Sequence, residues 1–186
     1  MSKPASTSHG LPGTAPRYTM LFRTVQGSRL HGFSRPESDL DLYEVWDDLG
    51  HKGHRIFKRG GRDVVRVDLE TFLEHLRHGV PRAVEARYAP TWAVQYEASW
   101  FRAFRHALVP GAGAVAEGYR RTIDHIWRDA RDKGVGLTPK QQRHAARLEH
   151  DRHFFLTHGH LDPTAFARTL DAHRYQYTDT KELHLV

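Results

Sequence analysis

Residues 27–45 read GSRLHGFSRPESDLDLYEV, and this stretch decides how the chain around it is organised. From residue 39 to residue 46 apolar and polar side chains alternate, the period of a β-strand. Residues two apart on a strand project to the same side, so Asp39 and Asp41 present both carboxylates to one face. Carboxylates held that close repel one another unless a cation lies between them. A hard divalent cation with oxygen ligands fills that need, and beside phosphates it is Mg2+ (or Mn2+). Upstream, Gly27 lets the backbone approach an anion closely, and Ser28 offers a hydroxyl and a backbone N–H. Arg29 adds a charge-assisted contact. The stretch thus predicts a phosphate cradle at one strand end and a metal clamp on the next strand.

Outward from it, residues 18–26 are rich in β-formers and predict a buried strand that Gly27-Ser28 breaks. A short helical turn is expected over residues 30–35, before Pro36. Residues 47–62 are polar and glycine-rich, a loop or a hairpin with residues 55–58 as a short strand. Residues 63–68 predict a third strand. Leu69, Phe72, Leu73 and Leu76 then fall at i, i+3, i+4 and i+7, one face of a helix ending at Gly79. Pro81 starts a short helix that Pro90 closes, and further helices are expected over 92–108, 112–132 and 139–158, with a short one after Asp162-Pro163. The fold class is therefore α+β. A flexible tail at 1–16 precedes a small mixed β-sheet core at 17–90, and a helical C-terminal region at 91–186 packs on that core.

The composition narrows the chemistry. The 186 residues contain no cysteine, which excludes disulfides, thiolate zinc sites and a cysteine nucleophile, and fits a cytoplasmic protein. No apolar run has the length of a membrane span, and the first residues lack the apolar core of a secretory signal. A net charge of +6 suits a polyanionic partner such as a nucleoside triphosphate (NTP) or an RNA or DNA acceptor. His150 and His153, at i and i+3 on a helix, have a spacing that transition metals use, but no HExxH pattern accompanies them. His144 and Arg147 are expected to line a polar face that meets substrate or the core. Gly111-Ala-Gly113 lacks the Lys-Ser/Thr ending of a P-loop.

The string GSRLHGFSRPESDLDL resembles the Gly-Ser…Ser-Asp-x-Asp motif of the DNA polymerase β-like nucleotidyltransferases, closest to a bacterial and phage branch of predicted nucleotidyltransferases linked to RNA repair. Asp63, Leu69, Phe72, Gly79, Pro81 and Glu85 fit the layout of that branch, as do His144, Arg147, Leu148 and Gly159 further on. Val80 and Thr71 depart from it. The resemblance implies a nucleotidyltransferase core in which Asp39, Asp41 and a third carboxylate hold the metal and carry catalysis, with Gly27, Ser28 and Arg29 binding the nucleotide. Asp63 fits the third position better than Asp68, which suits a helix N-cap. Glu85 is either an active-site carboxylate or a solvated one, and Arg35, Lys58 and Arg62 are further cations within reach of phosphates. The competing readings are a non-catalytic nucleic-acid-binding or regulatory module on the same fold, and a basic helical adaptor in which residues 92–160 do the work.

Overall fold

The computed structural model describes residues 18–34, 38–47 and 53–172. The first β-forming run is β1 (Met20–Gln26), followed by a single helical turn, α1 (Gly27–Leu30), and by β2 (Leu40–Trp46). β3 (His54–Arg59) and β4 (Arg62–Asp68) form a hairpin whose two-residue link, Gly60-Gly61, has φ of 56° and 71°. A tight hairpin of the right twist needs such left-handed values, and glycine adopts them without steric cost. Next come α2 (Leu69–Arg77), α3 (Pro81–Arg87) and a short strand β5 (Val94–Glu97). Four helices complete the described chain: α4 (Ser99–Ala107), α5 (Ala112–Asp132), α6 (Pro139–His158) and α7 (Ala165–Ala172). The architecture is α+β, a mixed five-stranded sheet and a helical C-terminal half. No helix among the described residues is long and apolar enough to cross a membrane.

The strands lie in the order β3-β4-β2-β1-β5. β2 and β4 run parallel, and the other neighbours are antiparallel. Pairing register then fixes which side chains share a face. Gln26, Asp41, Asp63 and Lys58 form one row across four strands; Thr24, Tyr43, Val65 and Ile56 form the next; Phe22, Val45, Val67 and His54 the one after. This is the face the helices cover. Phe22, Tyr43, Val45 and Val67 pack with Phe72 and Leu76 of α2, Val84 of α3, Phe101 of α4, Val115 and Tyr119 of α5, and Leu148 and Phe155 of α6. The row containing both aspartates sits at one end of this apolar layer.

Three expectations change. Residues 92–108 do not form one helix. Residues 91–93 make a 3-10 turn, Val94–Glu97 pairs with β1 at the sheet edge, and the helix begins at Ser99. A four-residue strand paired on one side buries too little to imprint a period on its sequence. The sheet therefore draws its fifth strand from beyond residue 90. The helical turn expected over 30–35 comes earlier, over Gly27–Leu30, so Ser28 lies in a turn of helix rather than in a loop. β2 does not alternate in burial: Leu42, Tyr43, Glu44 and Val45 are all buried. Its second face is covered because Glu44 accepts hydrogen bonds from Arg23 Nη2 at 2.6 Å, Arg66 Nε at 2.9 Å and Trp46 Nε1 at 3.0 Å. The tail at 1–16, Arg35 and the segment 174–186 lie outside the described residues.

Candidate functional site

Because β2 and β4 are parallel neighbours with Asp41 opposite Asp63, these two carboxylates stand side by side on the helix-covered face. Asp39, two residues before Asp41, carries the same parity one step beyond the strand end. All three line one cavity of about 870 Å³, together with Gln26, Gly27, Ser28 and Ser38. That volume suits a ligand the size of a nucleotide. Asp63 meets Lys58 at 3.5 Å. Among the described residues, no ion pair or hydrogen bond reaches the side chains of Asp39 or Asp41. Burial pushes the Asp41 carboxyl above its ordinary value, and the charges of Asp63 and Asp39 push it further, against the pull of Arg82 and Lys140. All three offer carboxylate oxygen, the donor that a hard divalent cation prefers, but their oxygens do not all lie within 4.8 Å of one another as the ligand atoms of His31, Glu85 and Asp151 do.

Gly27 is required here for a reason the motif alone did not reveal. A Cβ on Gly27 would fall 1.9 Å from Asp41 Oδ2, and its φ is +64°. The glycine makes room for the aspartate, and the close approach is to a carboxylate of the protein itself. Arg29 does not line the cavity. Its Nη2 donates to the Ser38 carbonyl at 2.9 Å and so braces the segment that leads into Asp39.

The opposite wall is cationic. Lys140, Arg143, His144 and Arg147 recur at i, i+3, i+4 and i+7, so one stripe of α6 lines the cavity, and Arg82 of α3 joins it. α6 starts with a capping box in which Thr138 and Gln141 satisfy each other's backbone N–H groups, and this secures the turn that carries Lys140. Gln26 Nε2 donates to the Arg82 carbonyl at 2.7 Å and ties the start of α3 to the aspartate row. His144 is open to solvent from within the cavity, yet protein surrounds much of its ring. Burial, and then the Arg147 guanidinium, hold its protonation well below the ordinary histidine value, at about 4.

Behind this wall lies a second group of acids. His31, Glu85 and Asp151 are fully buried, and their ligand atoms lie within 4.8 Å of one another, a donor set that could hold a metal ion. A cation already stands among them. Arg147 Nη1 lies 2.7 Å from His31 Nε2, 2.8 Å from Glu85 Oε1 and 2.7 Å from Asp151 Oδ2. His31 Nε2 also faces Glu85 Oε2 at 3.5 Å. The His31 Nδ1 is 2.7 Å from the Pro163 carbonyl, which can only accept, so Nδ1 carries a proton. Burial alone would raise the Glu85 carboxyl, but Arg147 and His31 overcome it and hold Glu85 far below its usual range.

Of the residues singled out from the sequence, the structure brings Asp39, Asp41, Asp63, Gly27 and Ser28 to one cavity and leaves Arg29 outside its lining. Asp68 is the N-cap of α2, its Oδ1 accepting from the Thr71 amide at 2.6 Å. Glu85 is buried rather than solvated. Arg62 is exposed and does not line the cavity. His150 packs against Phe154 and Phe166, and no metal-ligating group among the described residues includes it or His153. Sequence reasoning missed Arg82, Lys140 and Arg143. For the last two the signal existed as a basic stripe at helical spacing, while Arg82 carries none. No protein-family model matches the chain, and no curated protein matches it in sequence.

Proposed function

We propose that this protein is a metal-dependent nucleotidyltransferase of the DNA polymerase β-like kind, moving a nucleoside monophosphate from an NTP to an acceptor with release of pyrophosphate. The observation that carries this reading is the pairing of Asp41 with Asp63, with Asp39 beside them, in a cavity walled on its other side by Arg82, Lys140 and Arg143. An acidic side facing a basic side suits a ligand that is itself bipolar, a polyphosphate with its divalent cation.

In this mechanism Asp39, Asp41 and Asp63 would hold Mg2+ or Mn2+, which would neutralise phosphate charge and favour an ionised acceptor hydroxyl. Ser28, on the turn after β1, and the cations of α3 and α6 orient the polyphosphate so that its α-phosphorus faces the acceptor. The acceptor oxygen bonds to that phosphorus, the bond to the β-phosphate oxygen breaks, and pyrophosphate leaves with that electron pair. Asp63 takes the acceptor proton. The chain's positive charge favours an RNA or DNA end as the acceptor.

The test is incubation with each α-labelled NTP, Mg2+ or Mn2+, and separate pools of RNA, DNA and protein. Transfer of label into one pool, abolished by Asp41→Asn, is the expected result. Absence of transfer from every pool, with nucleic-acid binding that ignores Asp39 and Asp41 and weakens steeply with salt, favours a binding module and overturns the enzyme.

A further inference from the structure

We propose that His144 acts in the cavity as a neutral hydrogen-bond donor to a phosphate oxygen, locked in that tautomer by Arg147. The phosphate rests on the transferase reading above, whereas the tautomer rests on geometry alone.

Arg147 Nη2 lies 3.4 Å from His144 Nδ1. A guanidinium has only N–H donors, so Nδ1 must offer its lone pair, and the ring proton must be on Nε2. The guanidinium cannot turn away to permit another arrangement. Its Nη1 is fixed by Glu85, Asp151 and His31, all buried, and withdrawing it would leave two carboxylates uncompensated in the interior. Arg147 is thus a positioning residue with two tasks, neutralising the buried acids with one nitrogen and setting the His144 ring with the other.

The charges around His144 argue the same way. Lys140, Arg143 and Arg147 share its helix face, Arg82 and Glu85 reach it from α3, and His31 from the end of α1. Burial disfavours a further positive charge on the ring, and Arg147, His31 and Arg82 add to that against the pull of Glu85. A second proton on Nδ1 would also point at the guanidinium. His144 is therefore neither a fifth cation nor a proton acceptor, since its lone pair is engaged by Arg147. What it presents is Nε2–H, a directional donor on a wall whose cations attract an anion. Phosphate oxygens are the acceptors that such a wall collects. The arrangement supplies aim where the flexible lysine and arginine side chains supply only attraction.

Two measurements test this on the full chain. Long-range 1H–15N correlation of the His144 ring reads the tautomer directly. A protonated Nε2 and a bare Nδ1, persisting from pH 8 to below pH 6, is the expected result. A proton on Nδ1, or protonation near the ordinary histidine value of 6.5, overturns the proposal. The second measurement titrates inorganic tripolyphosphate with Mg2+ into wild type, His144→Gln and His144→Leu. Leu should weaken binding about tenfold, as loss of a hydrogen bond to a charged oxygen does, and Gln, which keeps an N–H, by less than about threefold. Equal losses in both variants, or none in either, overturn the donor role. Binding that depends on His144 in a protein that transfers no nucleotide upholds this inference and overturns only the reaction assigned above.

Discussion

Two groups of carboxylates lie within the same half of this protein and are treated in opposite ways. Glu85 and Asp151 are buried and share the Arg147 guanidinium. Asp39, Asp41 and Asp63 face a cavity, and among the described residues the one ion pair across all three is the 3.5 Å approach of Lys58 to Asp63. Two further acid side chains follow the first pattern, Glu44 held by Arg23 and Arg66 and Glu97 by Arg102 and Arg105, while the buried Asp68 is held by the Thr71 amide. At Glu44, Glu85, Glu97 and Asp151 the fold supplies a matching cation, and at Asp68 a backbone N–H. Among the described residues Asp39 and Asp41 have no such partner, and Gly27, without a Cβ, leaves room for the Asp41 carboxylate. A group of acids that carries its own cation holds structure together. The aspartate row, at the wall of a cavity, is the group the proposed function assigns to a cation.

The contrast is broken most violently at Arg147. Arg147→Leu leaves Glu85 and Asp151 buried and unpaired, and should destabilise the protein by about 3–5 kcal/mol in urea unfolding. A change within 1 kcal/mol would mean that the two acids are not charged in the folded protein. Gly27→Ala comes next. It forces a left-handed backbone and drives a methyl group into the Asp41 carboxylate, at a cost of about 1–3 kcal/mol, and it should also abolish the Mn2+ stabilisation that the proposed function predicts for the wild type in thermal melts.

Asp41→Asn should act in the other direction. With chelator present, removing one of the crowded charges should stabilise the metal-free protein at pH 7 by about 0.5–2 kcal/mol, while the metal response disappears. The pH dependence follows from the same groups. The Asp41 carboxyl is raised in the folded state, so its contribution is full below the unfolded value of 3.8 and is lost as pH rises through the folded value. Glu85 is lowered, so its contribution is full above 4.5 and is lost as pH falls toward its folded value. Metal-free Asp41→Asn should therefore lose its advantage over wild type on acidification, which paired unfolding curves at pH 7 and pH 4 will show. The smallest effect is at Asp68. Asp68→Ala removes the N-cap of α2, at about 1 kcal/mol, and leaves the Mn2+ response intact, which separates it from Asp63.

Much of this was legible in the sequence, for physical reasons. β1 is a run of β-formers, α2 buries one face over enough residues to imprint a period, and Asp39-x-Asp41 opens a strand legible from its sequence although β2 buries both faces. Asp63 could be preferred over Asp68 because parity allows only one of them to face Asp41, and the parallel register seats Asp63 directly opposite. β5 was illegible because four residues at a sheet edge bury too little. The basic wall was hidden for another reason. Arg82 is an ordinary exposed arginine until α6, some sixty residues later, folds across from it. Arg147 could be seen as part of a polar face, but its role as the cation of a buried acid group depends on Glu85 and His31, which no local pattern ties to it.

The central claim is that the row of Asp39, Asp41 and Asp63 is the cation site and that the buried group around Arg147 is not. Titration of Mn2+ into the full chain, followed by the electron paramagnetic resonance of the free ion, tests it directly. The wild type should deplete free Mn2+ saturably, and Asp39→Asn combined with Asp41→Asn should abolish that depletion while the protein stays folded. Undiminished Mn2+ binding by the folded double variant would contradict the account.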